Sequence, residues 1–296
     1  GSGRKRIAEK PGLDAEKLRR AMSRCGLHTS TAGGLGAMLL RAKILGEDAA
    51  QIFVKSNRQW RMSVLPDGEA NQFIAGRKTQ DLWVCAHAGY LINVAGQAEI
   101  RKKSIRSLAD ELARAEFLGL EALVVHCGSR GESNPAEARK RAVAGFLEAL
   151  ERSKTRRIPL ALENSAGQGS SLARDMGEWG ELVSGLPADR RAACLDTAHA
   201  FAAGHDLTTE AGRQNLIREV DQAIGWSRIR VLHVNDSKTA CGSGVDRHEH
   251  LGKGRIGDAL RDFLRNPALK GIPRIGELPP GEKEDRANLK FLRSCG

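Results

Sequence analysis

Imidazoles and carboxylates stand at the ends of six apolar runs in this chain, or in the loops just after them. The runs are Trp83-Val84-Cys85-Ala86-His87, Ala122-Leu123-Val124-Val125-His126 and Ile158-Pro159-Leu160-Ala161-Leu162-Glu163. They continue with Ala192-Ala193-Cys194-Leu195-Asp196, Ile229-Arg230-Val231-Leu232-His233 and Ile272-Pro273-Arg274-Ile275-Gly276-Glu277. His199 lies three residues past Asp196, and Asp246 and His248 follow the His233 run. Together they offer five histidines and four carboxylates. A mixed set of imidazole and carboxylate suits zinc, manganese or iron. Nine donors exceed what one ion uses, so the pattern points to a multinuclear metal site. The alternation of Asp246-Arg247-His248 puts both donors on one side of an extended segment. Any one of these histidines reads most simply as a hydrogen-bonded structural residue. Nine such donors at equivalent ends of separate elements do not. Without cations, four clustered carboxylates would repel one another, and at least one would tend to protonate.

Such convergence requires the six runs to be parallel strands around one centre. Strand candidates begin near residues 25, 50, 83, 122, 158, 192, 229 and 273. Helical stripes separate them. Leu35, Met38, Leu39, Ala42 and Leu45 form one, and Ile105, Leu108, Leu112, Ala115 and Leu118 another. Gly46 and Gly119 fall where those helices should stop, and residues 284–294 supply a last helix. Eight strand-then-helix units predict an α/β fold, a (β/α)8 TIM barrel, with working residues at the carboxyl ends of its strands. A doubly wound open sheet is the alternative, but it would not bring strands 3 to 8 around one centre. The expected organisation is a short, mobile N-terminal extension over residues 1–22 and a single barrel domain over residues 23–296.

Composition narrows the partner. The chain has 296 residues, 41% hydrophobic and 28% charged, as expected of a globular protein. No apolar run approaches the roughly 20 residues of a membrane span, and no apolar signal-peptide core is visible. None of the six cysteines forms a CxxC pair. They read as reduced thiols of a cytoplasmic protein, with Cys127 packed on the strand face opposite His126. The net charge of +11 favours a polyanionic partner, most simply nucleic acid. With only 4% aromatic residues, an extended base-stacking platform is disfavoured.

The site motifs are specific enough to recognise. They are His87-Ala88-Gly89-Tyr90-Leu91-Ile92-Asn93, Glu163-Asn164-Ser165-Ala166-Gly167-Gln168-Gly169, Leu195-Asp196-Thr197-Ala198-His199, His233-Val234-Asn235-Asp236-Ser237-Lys238 and Val245-Asp246-Arg247-His248. From about Gly26 to Glu277 the chain resembles the endonuclease IV family of apurinic/apyrimidinic endonucleases. That resemblance implies a barrel holding three zinc ions, with manganese as an alternative at one site. His87 and His126 would hold the first ion, bridged by Glu163 to the second. Asp196, His233 and Glu277 would complete the second, and His199, Asp246 and His248 would hold the third. Glu163, as the bridge, is the expected catalytic residue. The implied activity is incision of DNA 5′ to abasic sites, leaving a 3′-hydroxyl, with removal of 3′ blocking groups. The chain departs from the family pattern at Gly244, at Lys253 and at Gly276 and Leu278 beside Glu277. These changes bear on DNA contact more than on metal binding.

The segment Lys55-Ser56-Asn57-Arg58-Gln59-Trp60-Arg61 follows the second strand and offers Lys55, Arg58 and Arg61 to phosphates. The resemblance makes Arg58 a residue inserted into the duplex, with Tyr90 and Leu91 as a wedge that offsets stacking lost at an extruded nucleotide. His28 ends the first strand and faces the same end as the donors, in a supporting or phosphate-contacting role. Ala166–Ser171 is a weak phosphate-loop candidate and no Walker motif occurs, so no organic cofactor is expected. The expected partner is double-stranded DNA containing abasic sites, bound by a monomer, with no membrane. Two other functions fit parts of the pattern. A metal-dependent sugar isomerase or epimerase shares this kind of barrel but needs fewer donors and no basic face. A non-catalytic DNA-damage binding protein would be expected to lack a donor, and none is missing.

Overall fold

The computed structural model describes residues 23–296; the expected extension over residues 1–22 lies outside the described residues. The barrel strands are β1 (Cys25–Leu27), β2 (Ala49–Phe53), β3 (Trp83–His87), β4 (Leu123–His126), β5 (Leu160–Glu163), β6 (Arg191–Asp196), β7 (Ile229–His233) and β8 (Arg274–Gly276). Every neighbouring pair is parallel. The ring closes between β1 and β2 through the parallel bridge of His28 with Gln51, where Thr29 N–H donates to the Gln51 carbonyl at 2.8 Å. The chain is therefore a TIM barrel, and the strand starts fall within two residues of the expected ones.

Two sets of apolar residues fix this arrangement. The outward faces of the strands pack against helices in a large outer core, to which Cys127 belongs. Small inward residues, among them Ala49, Cys85, Ala161, Ala192 and Cys194, fill the barrel lumen. Helix α1 (Leu35–Leu45) buries Leu35, Met38, Leu39 and Ala42 and ends at Gly46 in the left-handed conformation. Helix α2 is Asp67–Thr79. Helix α3 (Ala98–Phe117) buries Ile105, Leu108, Leu112 and Ala115 along one stripe, with Gly119 left-handed just beyond it. The last helix spans Glu282–Arg293, starting two residues before its expected place. Among the described residues, no helix is long and apolar enough to cross a membrane.

Register puts the strand ends level. His126 pairs with Glu163 across β4 and β5, and Asp196 with His233 across β6 and β7. Two features of this rim escape the sequence pattern. A seven-residue helix, Thr197–Ala203, starts directly after β6 and carries His199. A short antiparallel pairing of Asp236–Ser237 with His248–Glu249 folds the long segment after β7 back over the rim. That hairpin delivers Asp246 and His248.

Candidate metal centre

All nine expected donors meet at the carboxyl end of the barrel. His87 Nε2 and His126 Nε2 each lie 3.2 Å from Glu163 Oε2. The other oxygen of that carboxylate is 3.0 Å from His233 Nδ1, which is also 3.0 Å from Glu277 Oε2 and 4.0 Å from Asp196 Oδ2. His199 Nε2 and His248 Nε2 each stand 3.2 Å from an Asp246 oxygen, and His248 Nε2 is 3.6 Å from Asp196 Oδ2. Donors around one tetrahedral zinc, with bonds of about 2.0–2.1 Å, stand about 3.3 Å apart. The spacings thus divide the nine into three donor groups, joined by Glu163 and Asp196.

Second contacts fix which nitrogen of each ring faces the centre. A backbone carbonyl can only accept, so the facing ring nitrogen must carry the proton. His87 Nδ1 donates to the Ala88 carbonyl at 2.7 Å, His199 Nδ1 to Asn164 at 2.9 Å and His248 Nδ1 to Glu277 at 2.8 Å. Each leaves Nε2 free as a ligand atom. His233 is reversed, because its Nε2 donates to Gln51 Oε1 at 2.8 Å and leaves Nδ1 for the centre. His248 Nε2 is buried and makes no well-formed hydrogen bond, although carboxylate oxygens of Asp246 and Asp196 lie 3.2 and 3.6 Å away. A ring nitrogen crowded by two carboxylates without a hydrogen bond is what a bound cation would satisfy, so the donor set fits metal ions.

The electrostatics agree. Burial raises the carboxyls of Glu163 and Glu277, yet His233 and its neighbours hold both well below the usual range. Burial lowers His199 and His233, but the surrounding acidic groups keep both well above an ordinary imidazole. His248, also opposed by burial, is pushed up to about 9, chiefly by Asp196.

Several supporting residues carried no signal of their own in the sequence. Gln51 sits fully buried on β2 and donates to Glu277 Oε1 at 2.6 Å while accepting from His233. Asn235 donates to Asp196 Oδ2 at 2.7 Å and accepts from the Glu277 N–H at 2.7 Å. Asn164 accepts from the Asp196 N–H at 2.7 Å. Both asparagines directly follow a donor or lie two residues past one, and that adjacency is the only clue. Asp236 is also buried, and accepts backbone N–H groups from Gly254, Ile256 and Gly257 at 2.9–3.1 Å. It shapes the turn that exposes Lys253 and Arg255. His28 contacts Gln51 Nε2 at 3.0 Å and Glu277 Oε1 at 3.4 Å, placing it in the supporting layer. Gly276 is closely packed, and a Cβ there would press on the side-chain ends of Leu27 and Leu278 at 3.0 Å.

A cleft of ≈ 630 Å³ opens beside the centre, lined by Tyr90, His126, Gln168, His199, Asp246 and Arg247 among others. That is room for a nucleotide-sized ligand. Tyr90, which lines it, and the adjacent Leu91 are 56% and 37% exposed, and Arg58 and Arg61 are exposed on the segment after β2. Lys55 differs from the expectation of a free phosphate contact. Its side chain is 3% exposed, and its amine faces Glu111 at 3.5 Å.

Three comparisons with known proteins bear on this site. The family model described as a xylose isomerase-like TIM barrel matches residues 39–295. A probable endonuclease 4 of Methanoculleus marisnigri is 40% identical over 273 residues, covering 90% of this chain and 97% of its own length. The crystal structure of endonuclease IV from Thermus thermophilus superposes with a TM-score of 0.84 at 38% identity, covering 92% of this chain and 98% of that one. A D-tagatose 3-epimerase-like protein shares the fold, at a TM-score of 0.70, over 92% of this chain and 96% of its own; its identity is only 18%.

Proposed function

The chain belongs to the endonuclease IV family of apurinic/apyrimidinic endodeoxyribonucleases, and from that premise we propose that it is a three-zinc phosphodiesterase of base-excision repair. It incises double-stranded DNA on the 5′ side of an abasic site, leaves a 3′-hydroxyl, and removes 3′ blocking groups. The observation that carries this reading is the convergence of nine donors into three groups at ligand spacing. His87, His126 and Glu163 would hold one ion. Glu163, Asp196, His233 and Glu277 would hold the second, and His199, Asp246 and His248 the third. Bound zinc, or manganese at one position, supplies a water acidified to react near neutral pH and charge to offset that of the phosphodiester.

The chain's own residues do the rest. Glu163 presents one oxygen to each of two donor groups, so it fixes their separation. Gln51, Asn164 and Asn235 hold ring and carboxylate orientations, which keeps the donors in place before substrate arrives. Three dications against four carboxylates leave a surplus of two positive charges, suited to a phosphate. Arg58 enters the duplex while Tyr90 and Leu91 wedge the gap, and Arg61 and Arg247 meet phosphates. The complete donor set comes from one chain, which supports a monomer. The basic charge and the lack of CxxC pairs suit a cytoplasmic DNA enzyme. A sugar epimerase is disfavoured by the third donor group. The experiment is incision of a 5′-labelled duplex with one abasic site, followed by polymerase extension. An extendable product ending just 5′ of the lesion is expected. An uncut duplex, with zinc-loaded protein, would refute the assignment.

A further inference from the structure

A buried ion pair lies outside the metal centre, where the loops after β2 and β3 meet helix α3. Lys55 Nζ is 3.5 Å from Glu111 Oε1, with side chains 3% and 1% exposed. Glu111 Oε2 accepts the Gly89 N–H at 2.9 Å, and Oε1 accepts the Ser107 hydroxyl at 3.0 Å. The Lys55 amine also donates to the Gln59 carbonyl. The two loops touch directly, since Tyr90 N–H donates to the Asn57 carbonyl at 3.1 Å. From the same helix, Arg114 donates to the carbonyls of Val54 and Ser63, at either end of the first loop. Thus α3 grips the segment carrying Arg58 at both ends and, through Glu111, ties it to Gly89, the residue before Tyr90 and Leu91.

Desolvation makes such a pair a poor source of stability. Burial raises the Glu111 carboxyl, and the Lys55 charge only pulls it back. What the pair does supply is geometry, because a buried ammonium and carboxylate must stay together. We propose that Lys55–Glu111 is a positioning pair that sets the spacing of Arg58 from Tyr90 and Leu91, and through it the discrimination between abasic and intact duplex. This rests on the wedge reading given above.

Three variants separate the possibilities, each assayed for metal content, melting temperature, and kcat and KM on abasic duplex. Binding to abasic and intact duplex is compared alongside. Lys55→Met keeps the aliphatic stem and lets Glu111 protonate. Lys55→Met combined with Glu111→Gln leaves no buried charge and keeps an acceptor for Gly89, which guards against simple misfolding. Both should keep full metal content, and the abasic preference should fall about tenfold, mainly through a higher KM, since small misplacements are costly. The reference is the Arg58→Ala/Tyr90→Ala/Leu91→Ala variant. If it loses preference while both pair variants keep the parental value, the positioning role is overturned and the wedge stands. If the reference itself keeps parental preference, the wedge reading falls and takes this inference with it. A purely structural pair would lower melting temperature and leave the preference unmoved, which also overturns the proposal.

Discussion

At the scale of single residues, Glu163 is the hinge of the centre. One oxygen faces His87 and His126 and the other faces His233. Glu163→Gln removes the charge but keeps the shape, so it should lower incision at least about 10²-fold, the usual cost of losing a preorganised electrostatic contact. Binding to abasic duplex should change much less, because the exposed arginines are untouched. Parental incision by this variant would show that Glu163 is misplaced. Gln51 makes a different test. It orients His233 and Glu277 without being a proposed ligand. Gln51→Ala should weaken metal affinity by about 10–100-fold, as second contacts to ligands do. Chelator competition reads this directly, and unchanged affinity would remove Gln51 from the supporting layer.

At the scale of elements, the strand ends were the legible part. An apolar run that stops at His87, His126, Glu163, Asp196 or His233 declares both a strand and its direction. The hairpin bearing His248 was not legible, because its two-residue strands are too short to show a period. Lys55 misled for a related reason. Within Lys55–Arg61 it looks like one more basic loop residue, while its partner Glu111 sits far along the chain on a helix whose apolar stripe, from Ile105 to Leu118, does not include it. Glu47, just past α1, offers an element-scale test of the same kind of burial. Its carboxylate accepts the Leu27 N–H at 3.0 Å and the Thr29 hydroxyl at 3.0 Å. Burial, the larger influence, pushes it up to about 7 despite those hydrogen bonds. The folded value lies above that of an unfolded glutamate, so Glu47 supports the fold fully below about pH 4 and loses that support as pH rises through about 7. Relative to the parent, Glu47→Gln should therefore gain about 2 kcal/mol between pH 5 and pH 8. A gap in unfolding free energy that ignores pH would show Glu47 to be ordinarily ionised.

At the scale of the whole molecule, the chain carries a net charge of +11 although its centre is rich in carboxylates. Lysines and arginines outside the centre should bind phosphates and release their counterions. If six or more phosphates are neutralised, affinity for abasic duplex should fall at least about 10³-fold between roughly 50 and 200 mM salt. Replacing Arg58, Tyr90 and Leu91 by alanine should leave most of that slope, because only one of the three is charged. A flat salt profile would remove the basic residues from recognition. The most direct test of the metal centre itself is a count of ions per folded chain, read beside incision of an abasic duplex. Three donor groups, each suited to one ion, predict close to three ions, mainly zinc, with incision lost on chelation and restored with them. A folded, active protein carrying one ion or none would contradict the three-ion centre.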